Sequence, residues 1–388
     1  MRSVAEHRED LLALVSPIGS ESVLLSDALG RVLADDVLAA ADAPPFDNSA
    51  MDGYAIRVSA GGVGSWRVSQ DIPAGRMPSA LEPGTVARIM TGAPMPEGAD
   101  AVVPVEDSDG GIGQVELRTW PVVGRHVRPA GADMIAGAVV VGAPRLLRAA
   151  DLAAAAAAGQ PRVTVARRPR VSIVVTGDEL APPGATLTGA EIYDANSTVL
   201  SAAVREWGGE VVSAQRVGDG PAELLRSLEG IEADLIVTAG GVSAGAYDVV
   251  KESLASRGVT FGPVAMQPGK PQGWGALHGV PIVCAPGNPV SVAVTFRLFV
   301  VPMLCAMLGV PTPPLRRLPV VEGWRSPQGR TQVMPVRILD DAVLPATAGG
   351  SGSNLVGSLA AADAYALVPA EVEMVMPGTT VDVMGLVP

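Results

Sequence analysis

Val171-Ser172-Ile173-Val174-Val175, followed at once by Thr176-Gly177-Asp178-Glu179-Leu180, sets the class of the central fold. The first five residues are an apolar, β-branched run of strand length that ends in a turn. Downstream the same theme returns. Ser197–Trp207 has helical spacing, Glu210–Val217 reads as a strand, Ala222–Leu228 as a helix and Asp234–Val237 as a strand. Asp248–Ser256 again reads as a helix, and Pro281–Cys284 as a strand before a long apolar stretch, Val290–Leu308. Strand alternating with helix predicts right-handed crossovers and a mostly parallel sheet covered on both faces.

On the N-terminal side, Val4, Leu11, Leu12 and Val15 have helical spacing, and Ala28–Val37 reads the same way. Pro44-Pro45 breaks the pattern. From there to about residue 127 the chain is rich in Gly, Pro and Val, with short runs such as Trp66-Arg67-Val68, which suits a small β domain with many turns. Asp151 is placed to cap an alanine helix ending at Gly159, and Arg167-Arg168-Pro169 reads as a linker. Residues 312–388 return to short Val-rich strands and predict a second small β domain.

Length and charge narrow the functional classes. A chain of 388 residues exceeds one simple core, and two to four domains are expected. The formal net charge is −12 and no Lys- or Arg-rich run occurs, so nucleic acid is not expected as a partner. A small anionic ligand would need loop amides, helix N-termini or a bound cation to hold it. Cys284 and Cys305 have no CxxC neighbour and read as buried free thiols. The N-terminus carries acids early and lacks an apolar signal core, and Arg297 and Pro302 interrupt the greasiest stretch. A cytoplasmic protein with no membrane partner is expected.

In a doubly wound sheet, ligands gather beyond the C-terminal ends of the strands. Three such ends carry unusual loops: Thr176–Leu180, Thr238–Gly245 with Gly240, Gly241 and Ser243, and Ala285–Ser291 with Pro286, Gly287, Asn288 and Pro289. Glycines let backbone amides approach an anion, and a helix N-terminus adds a favourable dipole. Carboxylates beside them, Glu179 and Asp248, suit a hard cation such as Mg²⁺ against phosphate oxygens. Each element has a plainer account. Gly240-Gly241 is a tight turn, Glu179 and Asp248 are helix-start acids, and Lys270 is a solvated turn lysine. With no Walker loop and no GxGxxG fingerprint, an ordinary NTPase or dehydrogenase loses ground.

The ordered set of motifs resembles the molybdopterin molybdenumtransferase family, MoeA-like proteins whose eukaryotic counterpart is the gephyrin E domain. The set comprises Pro45–Tyr54, Ile89–Asp100, Thr176–Leu180, Gly240–Ser243, Pro268–Pro271 and Pro286–Ser291. The resemblance covers nearly the whole chain. It implies a multidomain α/β protein with four parts: a split helical/β domain (1–43 and 128–168), an inserted β-rich lid domain (44–127), a central molybdopterin-binding doubly wound α/β domain (169–310) and a small C-terminal β domain (311–388). It implies a cytoplasmic homodimer whose site is shared between subunits, and transfer of molybdenum from molybdate into adenylylated molybdopterin with release of AMP. Mg²⁺ and an upstream molybdopterin adenylyltransferase belong to the same picture.

Position by position, the resemblance gives catalytic roles to Asp52, Thr91, Asp133, Glu179, Asp219 and Asp248. Substrate contacts fall to Gly240, Gly241, Ser243, Lys270, Pro286, Gly287, Asn288, Pro289 and Ser353, and Mg²⁺ to Glu179 and Asp248. Asp133 sits where the motif's usual glutamate neighbour is replaced by Ala132. Some relatives place lysines just before Pro268-Gly269-Lys270-Pro271, where this chain has Pro263 and Gln267. Asp52 has a local alternative, since Asp often bonds the backbone of its own turn, here at Gly53. Two rival activities remain in view: a non-catalytic cofactor carrier or scaffold, and the adenylylation of molybdopterin. The second lacks a use for the Asp52 domain and the C-terminal β domain.

Overall fold

A computed structural model describes residues 1–242, 248–348 and 350–387. The chain divides into two units, Ser22–Val165 and a second built from Met1–Glu21 with Ala166–Pro388. The sequence reading places residues 1–43 in the split domain. In contacts the first 21 residues pack with the larger unit, where His7 and Leu11 on helix Val4–Leu12 are buried.

The Ser22–Val165 unit is built on small sheets, of which the larger have five and four strands. A five-stranded sheet runs in the order Ala101–Pro104, Gly53–Ile56, Val86–Ile89, Gly64–Ile72, Gln114–Leu117, with Tyr54, Ile56 and Val103 fully buried on one side. A four-stranded sheet brings Val32–Leu33 between Arg162–Ala166 and Arg145–Leu146. Ala28–Val37 is thus not helical. It forms strands because its backbone finds ladder partners on both sides, and tertiary pairing overrides propensity. The alanine helix runs Ala149–Ala157 and starts one turn earlier than expected. Asp151 is not its N-cap but its third residue, accepting the Arg148 amide at 2.9 Å and pairing with Arg145 at 3.0 Å.

The larger unit carries the doubly wound sheet. Its elements are β1 (Arg170–Thr176), α1 (Asn196–Glu206), β2 (Glu210–Val217), α2 (Pro221–Leu228), β3 (Leu235–Ala239), α3 (Val249–Leu254), β4 (Val259–Pro263), β5 (Pro271–Leu277), β6 (Val280–Ala285) and a long helix, α4 (Pro289–Met307). The order is β2-β1-β3-β6-β5-β4. β2, β1, β3 and β6 are parallel, β5 runs antiparallel to β6, and β4 pairs antiparallel with β5 at the edge of the sheet. Val171, Ile173 and Val175 point to one face, under α1 and α4, and Val174 points to the other, under α2 and α3. The Arg167-Arg168-Pro169 stretch is pinned rather than loose. Arg167 grips Asp234 through two hydrogen bonds of 2.9 and 3.0 Å.

α4 is long and apolar enough to cross a membrane, but its window is 89% buried in the fold. Arg297 and Pro302 lie where the helix shifts to π geometry over Phe296–Val300 and back again. Both cysteines are buried and free, and burial pushes the Cys284 thiol up to about 12. The C-terminal sheet takes the order Met266–Gln267, Thr331–Leu339, Ala364–Val368, Thr380–Gly385, Arg316–Pro319. Its edge strand therefore comes from the Pro268–Pro271 motif's own approach, which ties this sheet to the α/β domain.

His7 is fully buried, with its ring edge-on to Trp274 and Phe299 at 4.8 and 4.6 Å. Neither ring nitrogen has a hydrogen-bond partner among the described residues. Burial, aided by Arg2, lowers its pKa to about 4. The unfolded chain takes up this proton below about pH 6.5 whereas the folded one resists it until about pH 4. Stability is therefore lost as pH falls through that window, by about 3 kcal/mol from this group alone. Urea denaturation of wild type and His7→Leu between pH 7 and 4 is expected to show a flatter pH slope in the variant. Equal slopes would remove His7 as the cause.

Candidate active site

The C-terminal ends of β1, β2, β3 and β6 open onto one cavity of about 780 Å³ in the larger unit. Glu179, Asp219, Gly240, Gly241, Asp248, Lys270, Pro286, Gly287, Asn288, Pro289 and Ser353 all line it. Ser243 lies outside the described residues.

Close backbone approach makes the cavity. Gly240 has φ +101, and a Cβ there would sit 2.5 Å from the Thr176 carbonyl oxygen. Gly287 comes in from the β6 side, so that its own Cβ would meet Gly240 Cα at 3.4 Å. The Asn196 side-chain amide at the start of α1 donates to the Gly287 carbonyl at 2.8 Å. Asp178 and Asp219 exchange hydrogen bonds, each accepting the other's backbone N–H, at 3.3 and 3.0 Å. The loops after β1 and β2 are thereby clamped. Asn288 donates to Ser353 Oγ at 2.9 Å, and the Val290 amide donates to the Ser353 carbonyl at 3.3 Å. The last loop is thus fixed to the C-terminal domain. Gln332 holds the same segment by donating to Ser351 Oγ at 3.0 Å.

Charge is distributed unevenly around this floor. Asp248 is 6% exposed and its carboxylate has no hydrogen bond or ion pair among the described residues. A carboxylate that opens onto a cavity without a protein partner there is placed to meet a cation or a proton-bearing group. Lys270 and half-buried Arg330 add positive charge to the lining, and Arg330 donates to Gln267 at 3.3 Å. No group of three His, Cys, Asp or Glu among the described residues stands ready to hold a metal alone. The carboxylates of Glu179 and Asp248 suit a Mg²⁺ that takes its remaining oxygens from substrate and water.

In the other unit, the Asp52 carboxylate accepts the Thr91 backbone N–H at 2.6 Å and the Thr91 hydroxyl at 2.8 Å. These bonds, the backbone one first, hold its pKa below the usual range. Asp52 therefore clips the Thr91 turn and does not bond its own Gly53 turn. Asp133 is not with them. It lines a separate cleft with Ala43, Pro44 and Arg128.

Arg330, Asn196 and Ser351 line the cavity without having been singled out by sequence. A signal for cationic residues was present. Lys251 and Lys270 are the chain's only two lysines, and both line an adjoining cleft beside Pro263, one of the positions where a lysine is missing. Gly240→Ala is expected to cost about 2 kcal/mol, from left-handed strain and the clash with Thr176. Chemical denaturation checks this, and a change under 0.5 kcal/mol, the size of an ordinary surface substitution, would mean that the approach is not needed.

Three family models match in chain order: "MoeA N-terminal region (domain I and II)" over residues 2–159, "Probable molybdopterin binding domain" over 172–306, and "MoeA C-terminal region (domain IV)" over 317–386. A Mycobacterium tuberculosis protein named molybdopterin molybdenumtransferase 2 is 41% identical, over 100% of both chains. A Nostoc protein named molybdopterin molybdenumtransferase is 39% identical, over 80% of this chain and 75% of its own. The crystal structure of a molybdopterin biosynthesis MoeA protein from Pyrococcus horikoshii superposes with a TM-score of 0.85 at 31% identity, covering 99% and 98% of the two chains. On these matches, and on a cavity assembled from the same ordered motifs, the chain belongs to the MoeA family.

Proposed function

We propose that this protein is a molybdopterin molybdenumtransferase, which inserts molybdenum from molybdate into adenylylated molybdopterin and releases AMP. The observation that carries the reading is the lining of the 780 Å³ cavity: Asp248, a buried residue whose carboxylate has no partner among the described residues, shares it with the glycine loops and with the cations Lys270 and Arg330. Amides of the β3 and β6 loops and the N-terminus of α4 bind the phosphates. Glu179 and Asp248 position the attacking water and accept its proton as the phosphorus–oxygen bond of the anhydride breaks. AMP leaves as the pterin keeps its own phosphate. When bound, Mg²⁺ neutralises charge on the leaving AMP. Lys270, Lys251 and Arg330 replace the missing lysines in holding the molybdate dianion, for which a compact ammonium is well suited.

Support for a homodimer with shared sites is the resemblance itself, which pairs Asp52 and Thr91 of one subunit with the cavity of its partner. An upstream adenylyltransferase is the class of reaction that must supply the substrate. Free, buried thiols accord with a cytoplasmic setting.

The deciding assay supplies adenylylated molybdopterin, molybdate and Mg²⁺ and follows AMP. Tight pterin binding with no AMP release would favour a carrier. Asp248→Ala is expected to lower turnover about 100-fold while pterin affinity stays within a few-fold, and equal loss of both removes its assigned role. Lys270→Ala is expected to raise the molybdate concentration for half-maximal rate about tenfold. Mixing Asp52→Ala with Asp248→Ala subunits restores activity if sites are shared. Dead mixtures with verified exchange would assign each site to one chain.

A further inference from the structure

Arg297 lies in the π turn of α4 and is only 4% exposed. Its Nε donates to the Gly385 carbonyl at 2.6 Å, and its guanidinium stacks on Trp207 at 4.6 Å. No carboxylate pairs with it among the described residues. Desolvation brings its pKa down to about 10, which still leaves it charged at neutral pH. A buried cation without a counter-ion costs several kcal/mol in principle, so it is rarely left empty-handed.

Arg297 lines a cavity of about 150 Å³, bounded by α1, α4 and the C-terminal domain. Tyr365, only 2% exposed, lines the same cavity, and its hydroxyl has no partner among the described residues. The other walls are apolar: Val199, Leu200, Ala203, Phe296, Leu359 and Leu386. Burial keeps the Tyr365 hydroxyl and the Cys305 thiol protonated, so neither supplies the missing negative charge. Glu206, exposed, also lines the cavity and disfavours a doubly charged ligand.

We infer that this cavity is a binding site for a short-chain carboxylate, which pairs with Arg297, accepts the Tyr365 hydroxyl and lays its hydrocarbon tail on the apolar walls. A planar guanidinium presents two parallel N–H groups that match a carboxylate. One cation balances one negative charge. The volume holds roughly five water-sized groups at about 30 Å³ each, the size of propionate. The site is separate from the cavity at the strand ends and does not depend on the reaction assigned there.

Calorimetric titration of the full chain with propionate, propionamide and chloride at constant ionic strength tests the assignment. Saturable uptake of one propionate per chain is expected, with none of propionamide. Arg297→Met keeps volume and is expected to abolish uptake; the buried charge it removes offsets part of the lost Gly385 hydrogen bond and Trp207 stack, and a thermal melt checks that the variant is folded. Tyr365→Phe keeps the ring and is expected to weaken uptake about fivefold. No saturable uptake by wild type, uptake unchanged in both variants, or chloride binding as tightly as propionate would overturn the inference.

Discussion

The structure depends on how closely three backbone segments approach at one edge of a sheet. The Thr176 carbonyl leaves no room for a side chain on Gly240, and Gly287 packs beside it at van der Waals distance. Parallel strands point their C-terminal ends the same way, so the loops after them converge whether or not they have a use. Here convergence is so tight that backbone amides, not side chains, form the floor. Side chains enter from the rim, where Asp248 and Lys270 bring opposite charges to one space.

Two domains meet at this edge. The Asn288–Ser353 hydrogen bond and the Met266–Gln267 strand join the α/β domain to the C-terminal sheet. Loop geometry in one domain is therefore set partly by the other. That division explains why a small terminal domain, with no catalytic acid of its own assigned, is part of the active-site architecture.

The α/β elements were legible in the sequence because their signals are local. Glu210–Val217 was read to the residue, since a β-branched run between turn residues leaves little ambiguity. β4 and β5 were not read. Pro271-Gln272-Gly273-Trp274-Gly275 looks like turn chemistry, and its glycines matter only once Phe261 is seen 2.5 Å from where a Gly273 Cβ would be. The strand-end loops were legible as loops, and their meeting in one cavity followed from strand direction. Arg330 was not legible, because its place depends on sheet pairing between segments more than 60 residues apart. Ala28–Val37 failed for the same reason, as its partners lie over 100 residues downstream.

The burial of α4 has a consequence for the order in which the chain takes shape. Its mean hydropathy is 2.0 over a membrane-length window, and part of its cover comes from Val333, Tyr365 and Met384. These residues leave the ribosome after the helix does. During that interval the nascent chain carries a greasy cylinder with one flank bare, a substrate for chaperones and for self-association. The C-terminal sheet thus acts last and as a seal. A chain cut short before it would be handled by the cell as an aggregating polypeptide, well before any question of catalysis arose.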